Sequence, residues 1–229
     1  MFFWDYTIFL IIPPMILALY AQSKVKSTYQ KYSRVNAGSR ISGAEAARRI
    51  LNGSGIGDVP VERTPGKLSD HYDPRKRVLR LSEGVYGSRS LAALGIAAHE
   101  AGHAVQHHNG YAPLHIRNLI YPVASFGSTL AFPLFFIGFI FSTRQGPSML
   151  MDIGILLFAV AVIFSVLTLP VEFDASRRAL AQLRDGRFLT SDELIGARRV
   201  LSAAALTYVA STAMAIMQLL RLLLLRDRR

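Results

Sequence analysis

Cysteine is absent from the 229 residues, which excludes disulfides and thiolate zinc ligands and leaves His, Asp and Glu as the side chains able to hold a metal. That absence agrees with a reducing compartment. Charge is missing in blocks: Tyr6–Ser23, Asn118–Thr143, Ile153–Val171 and Val200–Leu220 contain no Asp, Glu, Lys or Arg. Each is about as long as the ~20 residues needed to cross a bilayer. With no charged residue inside these windows, a transporter is disfavoured. The first window has no basic stretch before it and no small-x-small site after it, so it reads as an anchor rather than a cleaved signal peptide.

Acidic residues are also few, 15 against 26 Lys plus Arg, for a net charge of +11. The location of the excess decides its meaning. Fifteen of the basic residues fall in 22–117, one (Arg144) between the second and third windows, six in 170–199 and four after Leu220. The first and third of these segments alternate with the membrane windows as cytoplasmic segments do. Nucleic-acid binding would need aromatics interleaved with the basic residues on a recognisable module, and none is present, so no nucleic-acid partner is expected. What the chain does have is apolar bulk, 51% of residues, with a mean hydropathy of +0.30. This composition marks an integral membrane protein in contact with the lipid bilayer.

The organisation expected is a helix over 1–38 with an aromatic start at Phe2, Phe3 and Trp4, a kink at Pro13-Pro14 and a stop at Asn36-Ala37-Gly38. A cytoplasmic domain follows over 39–117. Ser42-Gly43-Ala44-Glu45 is a capping box for a short helix that ends at Asn52-Gly53. Val59–Arg63, Leu68–Tyr72 and Arg77–Ser82 read as three strands, an edge of which could bind an extended peptide. Residues 118–171 form a membrane hairpin about the turn Arg144-Gln145-Gly146-Pro147. A cytoplasmic helix over 172–199 follows, with Pro170 at a helix start or a kink, and 200–229 is a hydrophobic helix with a basic tail. If that helix spans, the tail lies opposite the catalytic domain, against the positive-inside trend. The class expected is therefore a mainly α membrane protein with three to four transmembrane helices and a small α+β domain.

The chemistry centres on Ser88–Gly110, which contains His99-Glu100-Ala101-Gly102-His103. Strong helix formers precede the motif, Ser88 or Ser90 can cap it, and Asn109-Gly110 supplies the stop. His99 and His103, four residues apart, share a helix face and can reach one zinc ion, while Glu100 between them stands ready to take a proton from water as general base. Zinc, one ion per chain, is the cofactor expected. Glu172 is the third ligand in this reading. A carboxylate there would also suit a helix N-terminus, and Asp174, about 200° away round the helix, is its rival. His71, Tyr72 and Arg177 are candidates for binding substrate or stabilising an oxyanion. Turn hydrogen bonding explains the first two equally well, and topology charge explains the third. His107 shares the face of His99 and His103 but lies two turns from His99, which suits support or packing rather than ligation. A metzincin would require Gly at 106 and His at 109, where this chain has Gln106 and Asn109.

Four stretches, Leu68–Pro74, Val78–His107, Ala112–Asn118 and Leu169–Leu180, together resemble the bacterial YugP-type membrane zinc metallopeptidases. The chain is more distantly similar to HtpX-type membrane proteases, which also place a membrane hairpin between HExxH and a Glu-bearing helix. The resemblance implies a zincin-like cytoplasmic metalloprotease domain in a multi-pass bacterial inner-membrane protein, with His99, His103 and Glu172 as ligands and Glu100 as base. It further implies a peptide or protein substrate, including membrane proteins under quality control, with room for oligomers or a membrane partner. Ser176 stands where the HtpX type has Asp; a hydroxyl can still orient a histidine, though it accepts more weakly than a carboxylate. A second function class fits the same residues: a zinc-stabilised scaffold or adaptor without catalysis.

Overall fold

The computed structural model describes residues 6–142 and 148–228. The expected aromatic belt at Phe2–Trp4, the turn at Arg144–Pro147, and the end positions Thr143 and Arg229 lie outside the described residues. The chain is mostly helical and divides into two compact units.

One unit comprises Met1–Ala21, His115–Pro170 and Thr207–Arg229. Its helical material comes from α1 (Ile12–Tyr32), α5 (Ala112–Phe141), α6 (Met149–Asp185) and α7 (Ser191–Arg226). Among the described residues, four helices, the first counted with its 3-10 lead-in from Tyr6, are long and apolar enough to cross a membrane. Large apolar side chains such as Leu119, Phe126, Ile140 and Leu156 remain exposed on them, the arrangement expected when lipid rather than water is the solvent. Phe135, Ala131 and Met151 pack with Leu222. The Arg226 guanidinium meets Asp152 at 2.5 Å, and Arg228 lies over the Tyr6 ring at 3.7 Å. The C-terminal end of α7 therefore sits beside the hairpin end of α5 and α6.

Pro13 and Pro14 fall in the first turn of α1, after the 3-10 helix Tyr6–Leu10. A missing N–H costs nothing there, so the prolines begin the α-helix instead of kinking it. The helix also stops earlier than expected, at Tyr32. Val35 O accepts from Leu91 N, Ala37 N donates to Arg89 O, and Asn36 bridges Ser90, which commits this backbone to extended pairing.

The other unit comprises Gln22–Leu114 and Val171–Leu206. The capping box at Ser42 and Glu45 opens α2 (Gly43–Gly53). The sheet has strands β1 (Val61–Thr64), β2 (His71–Asp73) and β3 (Val78–Ser82) in the order β1-β3-β2, with β1 parallel and β2 antiparallel to β3. All three strands begin later than expected; for the second and third, Leu68 and Arg77 adopt left-handed φ values of 55° and 50°, which extended backbone excludes. One helical turn, α3 (Glu83–Tyr86), leads to α4 (Leu91–His108), which Ser90 caps by accepting from Ala93 N.

α4 is the buried axis of this unit. Leu94, Ala97, Ala98 and Ala101 are fully buried with Leu79 and Leu81 of the sheet and Ala46 and Leu51 of α2. Its C-terminus closes as a Schellman turn: Tyr111 N donates to Gln106 O and Gly110 N to His107 O, with Gly110 at φ 63°.

Two expected breaks are absent. Pro170 lies inside α6, not at a helix start, so the hydrophobic segment and the Glu172 segment are one helix of 37 residues. The real boundary falls at Gly186–Thr190, where Arg187 has φ 54° and a second reciprocal cap, between Thr190 and Glu193, opens α7. From there α7 runs unbroken through Val200.

Candidate metal centre

α4 and the segment of α6 after Pro170 bring the candidate ligands together. Gly102 permits the approach, because a Cβ there would lie 2.8 Å from Ala175 O, closer than any relaxed contact. His99 and His103 are separated by one helical turn, with ring centroids 4.7 Å apart and rings nearly perpendicular. Glu172, 4% exposed, turns its Oε2 to within 3.3 Å of His99 Nε2 and 3.6 Å of His103 Nε2. Among the described residues these three form the one such group, all ligand atoms within 4.8 Å of one another.

This donor set fits zinc. Four-coordinate zinc with N and O donors at ~2.0–2.1 Å requires donors roughly 3.3–3.4 Å apart, close to the separations seen. Two imidazoles and one carboxylate are also borderline-soft and hard donors that zinc accepts together. The other ring nitrogens are held: Ser176 Oγ is 3.2 Å from His99 Nδ1, and Gln106 Oε1 is 3.0 Å from His103 Nδ1. Burial alone lowers the pKa of His103, but the hydrogen bond with Glu172 and the charges of Glu100 and Glu172 outweigh it and raise the value above normal. The pocket attracts positive charge.

Glu100 stands outside the ligand group. Its Oε2 accepts from Tyr72 N of β2 at 3.1 Å. Leu79 N, opposite Tyr72, donates to Pro60 O on the far side of β3, so Tyr72 and Leu79 are a non-hydrogen-bonded pair. The Tyr72 amide therefore faces the outer edge of β2, toward α4. Its hydroxyl lies 2.9 Å from His107 Nδ1, and burial raises the phenol pKa. An open cavity of about 290 Å³ lies here, lined by Tyr72 and His107 together with Ile56, Val59, Arg77, Ala104 and His108.

Two sequence candidates are not brought to the cluster. His71 alternates to the face opposite Tyr72, where it is exposed, with Nδ1 2.8 Å from Ser69 O and Nε2 3.5 Å from Arg80 Nη1. The Arg177 side chain is 80% exposed and paired with Asp174. Asp174 itself, the rival ligand, faces Gln106 and Arg178. His107 meets Tyr72. Sequence reasoning missed Gln106, although a polar side chain three residues beyond His103 on a buried face is a signal that could have found it.

The family described as "Putative neutral zinc metallopeptidase" matches over residues 7–227. The chain belongs to this family. It is also 49% identical over 218 residues, 95% of each chain, to the "Putative membrane protease YugP" of Bacillus subtilis (strain 168). No solved structure matches. Membership in a zinc peptidase family implies zinc and a peptide substrate, and the four apolar helices accord with a membrane location.

Gly102→Ala tests how tightly the two helices must approach. Alanine improves helix propensity by about 1 kcal/mol. The clash is with a backbone carbonyl, though, and overpacking of this kind costs about 1–3 kcal/mol. The expected outcome is a lower midpoint in detergent thermal unfolding, together with weaker zinc binding in chelator competition because His99 and Glu172 are pushed apart.

Proposed function

We propose that the protein is an integral-membrane, zinc-dependent endopeptidase whose site lies on the cytoplasmic side. The convergence of His99, His103 and Glu172, with Glu100 beside them but outside the group, carries this reading. The basic segments 22–117 and 170–199 support the orientation through the positive-inside trend.

Zinc, when bound, supplies Lewis acidity and makes water a competent nucleophile near neutral pH. Glu100 takes the proton of the attacking water and returns it to the departing amine nitrogen. Tyr72 N–H holds that carboxylate at the outer edge of β2. The same edge offers an extended substrate backbone pairing next to Glu100. The cavity beside Tyr72 and His107 accepts a substrate side chain. Membrane-bound or damaged membrane polypeptides are the substrates that suit a site on a chain with four apolar helices, and a role in membrane protein quality control is part of this proposal. The exposed apolar faces of the helices leave room for an oligomer or a membrane partner.

The test is cleavage of an unfolded protein such as casein by detergent-purified protein with measured metal content. Chelation should abolish cleavage and about one equivalent of zinc should restore it. Cleavage that survives full metal removal would overturn the reading.

A further inference from the structure

Gln106 is fully buried, so bulk solvent does not reach its carboxamide. Its Nε2 donates to Val171 O at 2.8 Å and to Asp174 Oδ2 at 2.9 Å. A backbone carbonyl can only accept. The Asp174 carboxylate is likewise an acceptor, held as such by Arg178 Nε at 2.5 Å and by Arg177. Flipping the amide would set its oxygen against two acceptors, so the orientation is fixed by chemistry. Oε1 must then face His103 Nδ1, 3.0 Å away, and an amide oxygen accepts only a proton.

The consequence reaches the opposite edge of the ring. With the proton on Nδ1, a neutral His103 turns a lone pair from Nε2 toward Glu172 Oε2. A lone pair facing a carboxylate oxygen is repulsive unless a proton or cation lies between them. The same side chain binds α6 at Val171, the residue preceding Glu172, so one carboxamide sets both the histidine ring and the register of the carboxylate across from it.

Building on the zinc-site reading, we propose that Gln106, braced by Asp174 and Arg178, is a positioning residue that holds His103 with its proton on Nδ1 and its Nε2 aimed at the metal. Arg178 is itself seated over the Tyr111 ring at 5.8 Å, just past the end of α4, so the brace is anchored at both ends. Ser176 cannot do the equivalent for His99, because a hydroxyl donates or accepts with equal ease.

The test measures zinc affinity by chelator competition on full-length, detergent-purified wild type, Gln106→Met and Ala97→Val, with the visible spectrum of the cobalt-loaded forms alongside. Gln106→Met keeps length and apolar bulk but removes all three hydrogen bonds. Ala97→Val perturbs the packing of the same helix without touching either histidine. Gln106→Met should weaken zinc binding about 10–100-fold, as loss of a ligand's hydrogen-bond partner does elsewhere, and shift the cobalt bands. Ala97→Val should change thermal stability without moving either. Equal zinc affinity in wild type and Gln106→Met overturns the proposal, as does an equal loss in both variants. Nitrogen-15 NMR of histidine-labelled, zinc-loaded wild type reads the ring directly and needs no variant to fold: the expected result is a His103 proton on Nδ1, and a proton on Nε2 overturns it. Zinc affinity left unchanged in His99→Ala and Glu172→Ala, measured in the same competition, would instead sink the site reading beneath it.

Discussion

Glu100→Gln is expected to lower peptide cleavage by roughly 10²–10⁴-fold, the range that a positioned general base supplies, and to leave bound zinc near one per chain. The separation of these two effects follows from geometry. Glu100 is not within the ligand group, and its carboxylate contacts the Tyr72 amide instead of an imidazole. Glutamine retains the acceptor oxygen for Tyr72 N–H and the volume of the side chain, so β2 and α4 keep their relation. What is lost is the ability to take and return a proton at neutral pH. Cleavage assays paired with metal analysis of the same preparation give both readouts. If Glu100→Gln cleaves like wild type, Glu100 is not the base. If neither protein cleaves a range of unfolded substrates while both retain zinc and the variant complements a deletion phenotype, the scaffold reading takes over.

The parts of this molecule that could be read from the sequence are those where local chemistry decides structure. The Ser42–Glu45 capping box and the Asn109-Gly110 stop are satisfied within a few residues, and both stand where expected. His99 and His103 share a face because helical periodicity requires it. Boundaries set by distant partners were not legible. Nothing within Ser33–Gly38 announces that its backbone will pair with Arg89–Leu91 and end α1 at Tyr32. Pro170 carries the strongest local signal for a helix boundary, and α6 nevertheless continues through it, because Val171, Ala175, Ala179 and Leu183 beyond the proline are fully buried. That packing offsets the missing hydrogen bond, a cost of ~3 kcal/mol. The Thr190–Glu193 cap was available in the sequence as a Thr-x-x-Glu pattern and is the true start of the last helix. Asp174 is the clearest case at the site. Its angle on the helix excluded it as a co-ligand, but only the fold reveals that it points at Gln106, a residue 68 positions earlier in the chain.

Glu172→Ala should remove metal as well as activity, with zinc affinity falling by more than the ~10–100-fold that loss of a supporting residue causes. Glu172 is nearly buried, and its Oε2 lies against both imidazole Nε2 atoms, so removing it leaves two neutral donors on one helix and a void where the third stood. Two histidines at one-turn spacing still capture zinc weakly, and excess zinc should therefore recover part of the occupancy without recovering the cleavage rate. Glu172→Gln separates charge from volume. It keeps an oxygen in place but no negative charge, and it should bind zinc more tightly than Glu172→Ala and less tightly than wild type. Asp174→Asn is the companion measurement, since it changes the carboxylate two residues away, which reaches the ligand group only through the Gln106 brace. A metal-binding order of wild type, Asp174→Asn, Glu172→Gln, Glu172→Ala, from tightest to weakest, is the result expected. If Asp174→Asn loses zinc and Glu172→Ala keeps it, the third ligand has been assigned to the wrong carboxylate.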